Sequence, residues 1–176
     1  MAGRAYPSGD VVVTRFLTID ELIYINEQLL TDAPVQLYVK GKQAVRDMDL
    51  LEAAAGRPQV TVFGEDAYPS LAEKAAALLH SLARNHPFAD GNKRTAAVAA
   101  IFMLAINGER VCWEAPDALE QIVAVAEGRA GVSEFAQWLA TEAVEPTPEP
   151  DADRDKATIT LILADHRWLL DELAGR

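Results

Sequence analysis

The chain has 176 residues, half of them apolar and 24% charged, which suits about one domain with a single core plus a surplus, and excludes wholesale disorder. Its 27 acids against 16 bases leave a net charge of −11, so most of the surface repels phosphate and direct nucleic-acid binding is not expected. The single cysteine, Cys112, excludes a disulfide scaffold or a cysteine-rich zinc site, and the longest apolar run, Thr95–Ile106, is too short to cross a bilayer.

The first ten residues, MAGRAYPSGD, lack the apolar stretch of a secretion signal, so the expected compartment is the cytoplasm. Val11–Phe16 then reads as extended. Thr18-Ile-Asp-Glu21 is a capping box, and Ile19, Leu22, Ile23 and Leu30 follow at helical spacing. A helix is expected near Val45–Ala55, and a short extended piece over Val60–Phe63, between Pro58 and Gly64. Ser70-Leu-Ala-Glu73 is a second capping box, with Leu71, Ala75, Leu78, Leu79 and Leu82 as its stripe. A helix over Asn92–Asn107 stops at Gly108. Pro116 opens another, carrying Leu119, Ile122, Val123 and Val125, which Gly128 closes. Val132–Thr141 makes a further helix, with Phe135, Trp138 and Leu139. The fold class is therefore mostly α with a small β element. His80, Cys112, Trp113 and Trp138 read as packing residues.

Composition changes after Thr141. Residues 142–156 hold three prolines, six acids and two bases, the make-up of a stiff, extended linker. The division is thus a domain at 1–141, a linker at 142–156 and an apolar segment at 157–176, which is too short to hold a core alone. In that segment Ile162, Leu163, Trp168, Leu169, Leu170 and Leu173 offer an apolar face, Asp165, Asp171 and Glu172 offer acids, and His166 reads as solvated.

The chemistry concentrates in His86-Pro-Phe-Ala-Asp-Gly-Asn-Lys-Arg-Thr-Ala96, between two strong helix signals. A loop entering a helix N-terminus presents free N–H groups and the positive end of the dipole to an anion. Gly91 lets the backbone approach closely, and Lys93 and Arg94 add charge to an otherwise acidic chain. Phosphate is the natural anion. Asp90 beside it calls for a bridging cation, and magnesium uses one or two carboxylates plus phosphate oxygens. His86 has the chemistry of a general base, and Phe88 is placed to point inward and pin the loop. Base, metal ligand and phosphate cradle together suit phosphoryl or nucleotidyl transfer.

This stretch resembles the signature of Fic/Doc proteins, His-x-Phe-x-Asp/Glu-Gly-Asn-x-Arg, and its Asn92–Ala96 ending is similar to the Doc branch of toxins from toxin–antitoxin pairs. FLTIDELIYINEQLL, AVRDMDLLEAAAGRPQ, YPSLAEKAAALLHSLARN, FMLAING and GVSEFAQWL extend the resemblance over about Phe16 to Thr141. It implies a compact six-helix bundle with a short β flap. It assigns His86 to deprotonating the target hydroxyl, Asp90 to Mg2+, and Gly91, Asn92, Lys93 and Arg94 to the phosphates of ATP. Val60, Thr61 and Val62 are the candidate flap that aligns the target's backbone, by strand addition.

Adenylyl-transferring relatives usually carry glycine at the position of Lys93 and a second arginine at that of Ala97. Doc-type chains carry lysine and lack that arginine, and the nucleotide is thought to bind reversed. The resemblance therefore implies transfer of the γ-phosphate of ATP to a hydroxyl of elongation factor Tu, which blocks translation. Adenylyl transfer and a catalytically silent binding module are the alternatives. Asn26 and Ala44 stand where related chains often show histidine and glycine. The implied partner is an antitoxin of the Phd type, which docks as a helix, or the chain's own C-terminal segment acting in its place. The inhibitory motif of the wider family, Ser/Thr-x-x-x-Glu-Gly/Asn, is absent; its nearest match, Thr141-x-x-x-Glu145, runs into Pro146.

Overall fold

The computed structural model describes residues 13–31 and 44–176. These residues form eight α-helices, a 3-10 turn at Arg57–Gln59 and four short strands. Helix α1, Ile19–Leu30, starts at Thr18, whose hydroxyl accepts the Glu21 N–H while the Glu21 carboxylate accepts the Thr18 N–H at 2.7 Å. The same reciprocal bonds between Ser70 and Glu73 start α3, Leu71–Asn85. Asp47 caps α2, Met48–Gly56, through the Leu50 N–H. Helix α4, Asn92–Ile106, is buried at every position from Thr95 to Leu104. A helix so apolar on all sides belongs at the centre, and it lies there, with α1 and α3 packed on it. Helices α5, Ala115–Ala126, and α6, Val132–Trp138, pack on α3.

The expected flap is a hairpin. Strand β1, Thr61–Val62, pairs antiparallel with β2, Glu65–Asp66, and Val60 accepts the Ala67 N–H at 2.8 Å. Val60, Val62 and Phe63 are exposed. The hairpin is held from below by Lys74, almost buried on α3, which donates to Asp66 at 2.7 Å and to the Tyr68 carbonyl at 2.5 Å. Arg57 braces the same turn, donating to Tyr68 Oη at 2.9 Å and Ser81 Oγ at 3.0 Å, and lies 2.8 Å from His80 Nδ1.

Several expectations are redrawn. Val11 and Val12 lie outside the described residues, and Val13–Phe16 joins no strand; the Arg15 N–H donates to the Asn107 side chain at 2.8 Å instead. Helix α6 stops at Trp138, because Thr141–Ala143 forms β4, paired antiparallel with β3, Glu109–Val111. The stretch at 142–156 accordingly begins in a strand and ends in a helix. Asp151 caps α7, Ala152–Asp165, through the Arg154 N–H at 2.9 Å, so the acids that read as linker charge occupy a cap and a first turn. The segment after it is two helices, since α8, Arg167–Ala174, restarts after His166.

Both pack on the domain, α7 on α4 and α8 on α4 and α5. Their buried face is Ile159, Ile162, Leu169, Leu170 and Leu173, whereas Trp168 stays half exposed. Asp155 on α7 accepts from Arg15 at 2.7 Å, and Arg15 also donates to Glu21, which ties the tail to α1. His166 is half-buried rather than solvated, edge-on to Trp113 at 5.9 Å, and burial lowers its pKa. Trp113 in turn stacks on Trp138 at 5.8 Å. Cys112 is exposed rather than packed, because its neighbour Trp113 takes the inward position of that extended segment.

Candidate active site

The loop joins the two central helices, so its ends are fixed by the core. Helix α3 ends at His86, which adopts the left-handed conformation at φ 51° and ψ 58° that glycine usually takes at a helix C-cap. A non-glycine residue there costs about 1–2 kcal/mol. Phe88, 1% exposed, anchors the middle of the loop in the core. Asn92 clasps the Phe88 backbone with both ends of its amide, each bond 2.9 Å long. Gly91, at φ 75°, is the N-cap of α4, and a Cβ there would meet Asn26 Nδ2 at 3.2 Å.

His86, Asp90, Gly91, Asn92, Lys93 and Arg94 line one cavity of about 180 Å3. The structure thus brings the loop's candidate residues together. The side chain of Asn92 is turned inward on Phe88, so only its backbone faces the anion position; Asn92, Lys93 and Arg94 supply the first-turn amides that lack an intrahelical acceptor. Asp90 is 71% exposed in its side chain; one oxygen accepts the Gly91 N–H at 2.6 Å and the other lies 3.6 Å from Arg94. Among the described residues no three His, Cys, Asp or Glu side chains converge. A single accessible carboxylate beside helix amides, Lys93 and Arg94 fits a magnesium ion that takes its remaining ligands from phosphate and water. Val60, Thr61 and Val62 do not line this cavity.

The His86 imidazole has its pKa lowered, by burial first and then by the charges of Lys93, Arg46 and Arg84. The shift favours the unprotonated form, the form in which a base acts.

Sequence reasoning gave no role to two residues that set this geometry. Arg46 donates to the His86 carbonyl at 2.8 Å and to the Asn85 carbonyl at 3.1 Å, which closes the end of α3. Its strap runs along the loop: Ala44 accepts the Ala89 N–H, Val45 bridges Phe88, and the Arg46 and Asp47 N–H groups reach the Pro87 carbonyl. Asn26, fully buried, donates to the Asp90 carbonyl at 2.9 Å and to Thr95 Oγ1 at 3.0 Å. A signal for Asn26 was present, since it is a polar residue on the same helical stripe as Ile19, Leu22, Ile23 and Leu30.

The chain belongs to the Fic/DOC family, whose model matches residues 16–104, a span that takes in this loop and nearly all of the two central helices it joins. It is 34% identical over 125 residues to "Protein kinase doc" of Escherichia phage P1, a match covering 71% of this chain and 93% of that protein. It is 65% identical over 68 residues to "Toxin Doc" of Mycolicibacterium smegmatis, covering 39% of this chain. The match spans about half of that second relative, 52% of its length.

Proposed function

We propose that the chain is a Doc-type toxin of a toxin–antitoxin pair, acting in the cytoplasm as a kinase that transfers the γ-phosphate of ATP to a threonine or serine hydroxyl of elongation factor Tu. The single observation that carries this reading is one cavity holding a histidine, an exposed carboxylate and the first turn of a buried helix. The names of the two relatives, a kinase and a toxin, point the same way.

In this reading His86 takes the proton from the incoming hydroxyl as it attacks. The amides of Asn92 to Arg94, with the Lys93 and Arg94 side chains, hold the phosphates, and Asp90 holds magnesium. Bound magnesium supplies neutralisation of the charge on the transferring group. Gly91 keeps the backbone free of a Cβ where Asn26 and Arg94 approach, within 3.2 and 3.5 Å. The exposed flap strand at Val60, Thr61 and Val62 offers its edge to the target's backbone. An antitoxin of the Phd type, or the chain's own α7 and α8, is the restraining partner.

The test is transfer of label from ATP to purified elongation factor Tu. Label appearing from the γ-position alone supports the kinase. Label from the α-position alone replaces it with adenylyl transfer, and no label from either, with a toxic effect that survives His86→Ala, leaves a silent binding module.

A further inference from the structure

Helix α8 delivers to the loop a charge that the loop itself does not account for. Leu169, Leu170 and Leu173 are buried, and they seat the helix on α4 and α5. Its last turn then reaches the His86 cavity, which Leu173, Ala174 and Arg176 line on the outer side. Leu173 is there to pack, being 2% exposed. Arg176 does something different. It places a guanidinium at an opening where Lys93 and Arg94 already repel a third cation. Among the described residues its ion-pair partner is Glu172 at 3.9 Å, a long and exposed contact that solvent screens. Asp90, the carboxylate in the cavity, is already beside Arg94 and the Gly91 N–H. No further cation comes from α4, since its residues from Thr95 to Leu104 are buried and uncharged. Among the described residues that line the cavity, three cations, Lys93, Arg94 and Arg176, share it with one carboxylate, Asp90, which suits a polyanion, and guanidinium matches phosphate with two parallel hydrogen bonds.

We propose that Arg176 is a phosphate-binding residue of the nucleotide site, so that the end of α8 forms one wall of that site and restraint falls to a separate antitoxin; this rests on the phosphate-transfer reading above. The cation joins Lys93 and Arg94 around the polyphosphate, and Glu172 competes for it when no nucleotide is bound.

The test is calorimetric binding of inorganic tripolyphosphate, and of ATP, to the full chain with magnesium present. Arg176→Ala weakens both roughly tenfold, the size of a lost charge-assisted hydrogen bond. Arg176→Lys keeps part of the affinity, Glu172→Gln tightens binding by roughly threefold, and Arg110→Ala, at an exposed pair on β3 past the far end of α4, changes nothing. Arg176 is exposed, so the folded state survives these changes, which melting curves verify. Unchanged or tighter binding by Arg176→Ala overturns the proposal, tighter binding meaning that α8 obstructs the site. Failure of the wild-type chain to bind either probe overturns the phosphate cradle beneath it as well, which separates the two failures.

Discussion

Asn92 and Phe88 form a closed ring: the Asn92 amide accepts the Phe88 N–H and donates to the Phe88 carbonyl, both at 2.9 Å and both buried. The pair joins the first residue of α4 to the core anchor of the loop. It lets Phe88 be buried without orphaning its peptide groups, and leaves the helix amides facing outward.

Removing the ring leaves two buried peptide groups unpaired. Each costs about 1–3 kcal/mol, so Asn92→Ala destabilises the protein by about 2–6 kcal/mol. Asn92→Asp loses a similar amount, because it sets a carboxylate oxygen against the Phe88 carbonyl. Urea unfolding of the two variants measures this; a loss below about 1 kcal/mol contradicts the role given to Asn92.

His86 separates stability from activity. It occupies a left-handed C-cap, where glycine is at ease. His86→Gly raises stability by about 1 kcal/mol and abolishes transfer to the target. A parallel loss of stability and activity would show that the imidazole serves the fold instead.

Arg46 acts on His86 in two ways, by gripping its carbonyl at 2.8 Å and by adding positive charge near its ring. A base works only when unprotonated, so activity falls as pH drops through the His86 pKa. Burial and the charges of Lys93, Arg46 and Arg84 hold that pKa below the ordinary histidine value. Arg46→Ala removes one of those charges and shifts the acid limb of the pH–rate profile upward, with a lower kcat. Arg46→Lys restores the limb more than it restores kcat, since lysine keeps the charge and loses the fork. An unmoved limb in Arg46→Ala rules out the electrostatic part.

The tail is tied down by Arg15 and Asp155. Burial is the largest single influence on Asp155 and raises its pKa, but the Arg15 hydrogen bond, the Asp151 N–H and the charges of Arg15 and Arg154 together outweigh it and leave the pKa lowered. The stability this carboxylate contributes is present above its unfolded pKa of about 4 and is lost as pH falls through the folded value. Asp155→Asn therefore costs about 2–4 kcal/mol at neutral pH, and the difference from wild type shrinks in acid. Chemical denaturation at a series of pH values checks it; a difference independent of pH contradicts the charge–charge account.

What was legible in the sequence was local. Thr18 with Glu21 and Ser70 with Glu73 announce their helices within four residues, and the spacing of Leu71, Leu78 and Leu82 gives the buried face. Residues 86–94 are contiguous, so the loop's chemistry could be read directly. Contacts made across the chain were not. Arg46 reaches His86 over forty residues, and Thr141–Ala143 becomes a strand only because Glu109–Val111 lies beside it. Asp151, Asp153 and Asp155 read as linker charge because a cap and an acidic first turn have the same composition as an extended acidic run; Ile159 and Ile162 burying against α4 decide between them.

The central claim is that the imidazole of His86 activates a hydroxyl for phosphoryl transfer. Intact-mass spectrometry of elongation factor Tu, incubated with the chain, ATP and magnesium, tests it most directly. The account predicts the added mass of one phosphate with the wild-type chain and none with His86→Ala. An added adenylate, or a phosphate that still appears with His86→Ala, would contradict it.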